Sequence, residues 1–302
     1  MIDIFCLGTG ASVPSRDRAL PAVAVRRGPD VFLFDCGEGT QRQLMVSPFS
    51  FMRLRAVFIT HLHGDHFYGL PGLLQTMGLM GRTQPLTVAG PAGLQAAVAA
   101  CLAACPGDIP YGLTVTEVGP GDVLRFGEAA VTAFATAHGV PSIGFRLQED
   151  DGRPSFDAVK AAARGIEGRD FAVLEQGGEV RGVRLADVAG PARKGASIIY
   201  TGDTVPCDGV RTAAAGADVL IHEATYLESE KELAAAHWHS TARQAAETAR
   251  DAHCGSLILI HISGRYKENA GTLTEAQAVF PPSFVPTDLT LYRLSKGKLR
   301  PV

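Results

Sequence analysis

The sequence predicts an α/β protein, with sheets packed together, helices outside them and one long inserted arm. Three observations lead there. Short apolar runs of strand character recur in both halves of the 302-residue chain. Helix-like segments cluster after them. Residues 149–195 are charged, glycine-rich and poor in long apolar runs, yet too long for an ordinary loop.

The elements follow in order. Ile2–Leu7, Ala22–Arg26 and Val31–Phe34 read as strands, and Glu38–Met45 as a helix. Arg55–Ile59 is a strand, Tyr68–Met80 a helix and Leu86–Ala89 a strand. Pro91–Ala103 is an alanine-rich helix, with Pro91 suited to its first turn. The second half gives strands at Thr114–Val118, Ala129–Ala135, Ser142–Leu147, Ser197–Tyr200, Val219–Ile221, Ser256–Ile260 and Leu289–Arg293. Its helices are Thr241–Ala252, opened by a capping box of Thr241 and Gln244, and Leu273–Phe280. Residues 1–302 are expected to form one domain, with 150–195 as an arm or lid within it. No short-period repeat is visible.

Composition narrows the class. An apolar fraction of 46% and a charged fraction of 20% are ordinary for a soluble globular protein. A net charge of −3 argues against binding nucleic acid by overall basicity, though a local basic patch stays open. The first apolar stretch contains Asp3 and is too short for a signal peptide, and no segment reaches the length of a membrane span. A cytoplasmic protein without a membrane partner is expected. The six cysteines are scattered and form no Cys-x-x-Cys pair, so reduced thiols are expected.

The chemistry is concentrated in Thr60-His61-Leu62-His63-Gly64-Asp65-His66, directly after the apolar run that ends at Ile59. Imidazole and carboxylate are good zinc ligands. His61 and His63 should project alike from extended chain, and a tight turn at Gly64 should bring Asp65 and His66 round. Further candidates stand where strands end: His138, Asp203 and His261. Taken singly each reads as structural, but together with the first cluster they read as a metal centre.

These motifs, with Leu7-Gly-Thr-Gly-Ala-Ser-Val-Pro14, Asp35-Cys-Gly-Glu-Gly-Thr-Gln41, Gly69-Leu-Pro-Gly72, Thr201-Gly-Asp-Thr204, His222-Glu-Ala-Thr225, His239-Ser-Thr-Ala242 and His261-Ile-Ser-Gly-Arg-Tyr266, resemble a known family. The histidine motif resembles the metallo-β-lactamase superfamily. The full set, spanning residues 7 to about 294, resembles ribonuclease Z, the tRNA 3′-processing endonuclease. The resemblance implies a four-layer αββα sandwich and two zinc ions per chain, without an organic cofactor. One ion would take His61, His63 and His138, the other Asp65, His66 and His261, with Asp203 bridging. Asp65, His239 and Glu223 would serve catalysis, His239 by protonating the leaving ribose oxygen and Glu223 by orienting it. Asp35 would hold a ligand histidine from behind. The partners implied are precursor tRNA and a second copy of the chain.

The arm departs from the family, whose usual bacterial members carry a Gly-Pro-rich tip. Here the corresponding stretch is Gly165-Ile-Glu-Gly-Arg-Asp-Phe-Ala-Val-Leu-Glu175, while Gly190-Pro-Ala-Arg-Lys-Gly195 at its base does match. Arg164, Arg169, Arg181, Arg184, Arg193 and Lys194 are the candidate phosphate contacts, with a solvated surface as the other reading. The alternative function is a sister hydrolase of a small phosphodiester or ester. His237 and His253 read as surface residues, and His222 as a structural neighbour of Glu223.

Overall fold

The computed structural model describes residues 1–105, 107–152 and 154–302. Cα packing divides the chain into Met1–Gln148 with Ser197–Val302, and Glu149–Ala196.

The larger unit holds two sheets. The strands of the first are β1 (Ile2–Gly8), β2 (Ala22–Arg27), β3 (Asp30–Phe34), β4 (Leu54–Phe58), β5 (Leu86–Gly90) and β6 (Leu113–Glu117), joined at the edge by a C-terminal hairpin. The second sheet holds β7 (Val123–Phe126), β8 (Ala129–Ala135) and β9 (Ile143–Glu149). After β10 (Pro154–Phe156) and β11 (Ala189–Ala192) of the smaller unit, it continues with β12 (Ser197–Tyr200), β13 (Val219–Glu223), β14 (Ser256–Ile260) and β15 (Ser283–Phe284). The C-terminal hairpin is β16 (Thr290–Ser295) and β17 (Lys298–Pro301). The orders are β17-β16-β1-β2-β3-β4-β5-β6 and β15-β14-β13-β12-β9-β8-β7.

Strand periodicity explains the layering. In β3, Val31 and Leu33 turn to a helical core with Leu44, Leu70, Leu73 and Leu74. The alternate residues Phe32 and Phe34 turn to the second sheet: Phe34 meets Tyr200 at 5.5 Å and Phe32 meets Phe126 at 5.3 Å. Phe58 of β4 meets Phe145 at 5.1 Å. On its far face the second sheet buries Ile199, Leu220, Leu257 and Leu259 against Ala242, Ala245, Ala246 and Ala249. Small side chains on that helix let it lie close to the sheet. The result is helix, sheet, sheet, helix. Phe58 is fully buried at the middle of it, and removing such a ring costs about 3–5 kcal/mol.

Some local expectations are corrected. Pro91 does not enter a first turn: the helix is Leu94–Ala104, behind Gly93 at φ +96°. Glu117 at the end of β6 accepts Gly93 N–H at 2.9 Å and Gln95 N–H at 3.2 Å, so a side chain from elsewhere fixes the start. The turn expected at Gly64 is a helical one, Gly64–Phe67, followed by helix Gly69–Leu79. Helices Asp208–Ala214 and Lys231–Ala236 and the short strands β7, β15 and β17 went unanticipated. The capping box at Thr241 is present in both directions, at 2.9 and 3.2 Å.

The smaller unit pairs β10 with β11 and carries helices Ala158–Ala163, Asp170–Glu175 and Leu185–Val188. Its core is Ala161, Ile166, Leu174, Val183 and Val188. Each of the three helices supplies one of these residues, and Ile166 and Val183 come from the stretches between them, which is why no long apolar run marks the segment. Among the described residues, no helix is long and apolar enough to cross a membrane.

Candidate metal centre

β3 and β4 are parallel neighbours, and so are β12, β13 and β14. Their carboxyl ends supply most of the site. Asp35 follows β3, His61 follows β4 after two residues, Asp203 follows β12, Glu223 ends β13 and His261 follows β14. Buried strands emerging side by side hold the short loops beyond them rigidly.

Two groups of side chains converge there. In the first, His61 Nε2 lies 3.0 Å from His63 Nδ1, which lies 3.3 Å from His138 Nε2. His61 Nε2 is also 3.7 Å from Asp203 Oδ2. In the second, Asp65 Oδ2 lies 3.6 Å from His66 Nε2 and 3.5 Å from His261 Nε2. Asp203 Oδ2 is 3.3 Å from each of these two nitrogens, so one carboxylate faces both groups. His63 presents Nδ1 where His61 presents Nε2. Within each of the sets His61, His63, His138 and Asp203; Asp65, His66 and His261; and Asp203, His239 and His261, the donor atoms all lie within 4.8 Å of one another.

The residues fit a metal. His66 Nε2, His261 Nε2 and Asp203 Oδ1 are buried without a hydrogen-bond partner. Leaving such groups unmatched is costly, and nitrogen and carboxylate donors aimed at one point match a divalent cation. Charge is uneven across the site: at His66 burial favours the neutral ring, but the Asp203 and Asp35 carboxylates outweigh it and hold the pKa well above the usual histidine range, a positive charge that a cation would replace. Burial and then its imidazole neighbour His66 hold His61 well below the usual histidine range, in the neutral form a cation needs. Burial works against ionised Asp203, but His261 and His66 more than offset it and hold its carboxyl well below the usual range.

Outer contacts fix the rings. Asp35 Oδ2 meets His66 Nδ1 at 2.7 Å and accepts Tyr200 OH at 2.9 Å, while its Oδ1 accepts Thr60 N–H at 2.8 Å. Asp35 adopts φ +56°, which points its side chain back into the site. Thr60 Oγ1 meets His61 Nδ1 at 3.0 Å, Thr225 Oγ1 meets His261 Nδ1 at 2.8 Å, and His138 Nδ1 meets the Trp238 carbonyl at 3.0 Å. Ser12 N–H donates to Asp65 Oδ2 at 2.8 Å.

The Ser12 loop is clasped from far away. Asp288 Oδ1 accepts Thr9 N–H at 2.9 Å and Thr9 OH at 2.7 Å, and its Oδ2 accepts Ala19 N–H at 2.5 Å. Both ends of the loop therefore hang on one carboxylate. Arg18 reinforces it by donating to Thr9 Oγ1 at 2.8 Å and to Asn269.

His239 stands beside the second group, stacked on His261 with ring centroids 5.3 Å apart. Glu223 Oε1 meets His239 Nδ1 at 2.9 Å, and Glu223 Oε2 accepts Thr225 OH at 2.6 Å. Burial alone would lower the His239 pKa; the Glu223 charge and hydrogen bond more than offset it and raise it to about 9. With Nδ1 occupied by Glu223, Nε2 is the nitrogen left free.

All ten candidates of the larger unit thus gather here: the seven metal candidates, Asp35, His239 and Glu223. Arg164, Arg169, Arg181, Arg184, Arg193 and Lys194 are exposed on the smaller unit. Arg181 pairs with Asp170 at 3.5 Å and Arg184 with Glu179 at 3.0 Å, exposed pairs of the kind that are individually weak. His222 is buried with Nδ1 at 2.7 Å from the Glu223 carbonyl. His237 and His253 are exposed. Sequence reasoning assigned no role to Thr60, Thr225 or Tyr200. Each lies within three residues of a named candidate at a strand end, the one signal that could have found it. Contacts made by backbone, at Ser12 and Trp238, leave no signal.

Residues 31–262 match the beta-lactamase superfamily domain. The chain is 40% identical to a ribonuclease Z of Bacillus licheniformis over 98% of its own length and 100% of that protein's. It is 41% identical to a ribonuclease Z of Methanothermobacter thermautotrophicus, covering 96% of this chain and 95% of the other. Among solved structures it is similar to human tRNase Z, short form, with a TM-score of 0.72 at 30% identity over 97% of this chain and 99% of that one.

Proposed function

The chain belongs to the ribonuclease Z family of the β-lactamase superfamily, a metal-dependent endoribonuclease of tRNA 3′ processing, and we propose how its residues divide that work. His61, His63 and His138 would hold one zinc ion, Asp65, His66 and His261 a second, and Asp203 would face both. When bound, two such ions lower the pKa of a water and stabilise attacking and leaving oxygens of a displacement at phosphorus.

The protein's own groups do the rest. Asp65 is aimed by the Ser12 N–H, and His66 is held by Asp35. His239 gives its Nε2 proton to the departing ribose 3′ oxygen, a poor leaving group otherwise. Glu223 keeps His239 charged and oriented through Nδ1. Cleavage of the bond from phosphorus to the 3′ oxygen leaves a 3′ hydroxyl on the tRNA and a 5′ phosphate on the trailer.

The observation that carries this reading is His239, held through Nδ1 by Glu223 at 2.9 Å, beside a convergent set of metal donors. The test is incubation with a precursor tRNA and mapping of both new ends. Cuts elsewhere than at the 3′ trailer, or none, would sink the assignment.

The arm, 150–195, serves in this reading as a tRNA exosite through its exposed arginines. A homodimer is supported by Met45, Val46, Leu79 and Met80, exposed apolar residues near the ends of two helices that pack together. A cytoplasmic setting suits the substrate and the free thiols of all six cysteines.

A further inference from the structure

Helix Lys231–Ala236 ends in a tight reverse turn. His239 N–H donates to the Ala234 carbonyl at 2.8 Å and Trp238 N–H to the Ala235 carbonyl at 3.2 Å. This double cap puts one residue in left-handed backbone, and glycine is its usual occupant. Here the residue is Trp238, at φ +60°. A bulky side chain is strained in that conformation, and the cap gains nothing from it. Nor is the indole a core anchor, because Trp238 is 49% exposed.

Its place gives the reason. One edge of the ring lies along Gly139, where a Cβ would stand 3.5 Å from Trp238 Cδ1. The Trp238 carbonyl holds His138, and the next residue is His239. The indole therefore stands on the rim of the centre, between a candidate ligand and the candidate proton donor.

We propose that Trp238 is a stacking platform for a nucleobase flanking the scissile phosphate. This rests on the reading that RNA is cut at this centre. Bases of a single-stranded RNA end are unstacked, and an exposed aromatic face takes them whatever their identity. Local strain kept at a site rim is what a ligand-facing side chain would require.

Trp238 is the chain's single tryptophan, so its fluorescence reports this position alone. Precursor tRNA added to the zinc-loaded protein should quench that emission. Trp238→Gly installs the residue the cap favours and keeps the carbonyl that holds His138. It should raise Tm by roughly 2–4 °C while raising KM for precursor tRNA roughly 5- to 150-fold. A precursor with an abasic nucleotide on one side of the cut should bind wild type more weakly by a similar factor, and Trp238→Gly hardly more weakly than the intact precursor does. Unquenched emission, an unchanged KM, or equal abasic penalties in both proteins would overturn the platform. So would a lower Tm in Trp238→Gly, which would make the indole a structural piece. Wild type that does not cut precursor tRNA at all would instead refute the functional reading beneath it.

Discussion

The two halves of the metal centre are built differently. The group of Asp65, His66 and His261 is sunk in the protein: His66 is fully buried and His261 is 2% exposed. Every member has an outer partner, namely Ser12 N–H, Asp35 and Thr225. In the group of His61, His63 and His138, only His61 is buried. His63 turns its Nδ1 inward, the nitrogen that elsewhere in the site meets an outer partner, and His138 leans on a backbone carbonyl. One half is pre-set by the fold, and the other is finished by loops at the surface. Ligands whose rings are already fixed lose less freedom on binding, so the deep half should hold its ion more tightly.

The sharpest way to break this comparison is to remove what the halves share. Asp203→Ala should drop metal content from about two ions per chain to below one, and activity on precursor tRNA should fall to the limit of detection. Elemental analysis that still finds both ions in the folded variant would mean the groups do not depend on this carboxylate.

His239→Ala tests whether chemistry can be separated from the metals. Both ions should stay, and tRNA cleavage should slow about 10²–10⁴-fold. A nitrophenyl phosphodiester, whose leaving group needs no proton, should suffer much less, and Glu223→Gln should follow the same pattern more mildly. Equal losses on the two substrates would remove the protonating role.

Asp35→Asn probes chiefly the deep half, because Asp35 meets His66 directly and His61 only through Thr60. It should weaken the tighter ion about 10- to 100-fold, drawing the two affinities together in a chelator titration. An unaltered tighter step with a weakened looser one would assign the depths the other way round.

The smallest effect on chemistry is expected from deleting 150–195. KM for precursor tRNA should rise with kcat nearly kept, and the log–log salt slope of tRNA binding should flatten by roughly 0.7–0.9 per lost phosphate contact. Deletion that leaves both unchanged would mean the arm is no exosite.

Much of this centre was legible because metal chemistry has a narrow vocabulary. His138, Asp203 and His261 each follow an apolar run, and strands that end together bring such residues together. The sheets were legible for a similar reason, since Val31, Leu33, Phe32 and Phe34 announce two buried faces by being apolar throughout. What stayed hidden acts through parts that every residue has. Ser12 contributes an N–H, Trp238 a carbonyl and an improbable backbone angle, and no residue type advertises either. The late start of helix Leu94–Ala104 was hidden because Glu117, which fixes it, lies beyond the helix in sequence. The six cations of the arm were legible as charges, but the pairing of Arg181 with Asp170 and of Arg184 with Glu179 depends on packing.

The Asp288 clasp has a consequence for the order in which the enzyme comes into being. Thr9 and Asp288 are 279 positions apart, so a ribosome must reach Asp288 before this loop can close. β1 likewise waits for its neighbour β16. Until then Ser12 has no fixed N–H to offer Asp65, and a half-made chain is a nuclease without a finished site. Contacts so distant in sequence also slow folding. A chain released at residue 280 should therefore be able to build the β3–β4 pair and both aromatic faces, yet should cut no RNA. A stretch translated late arms one made early.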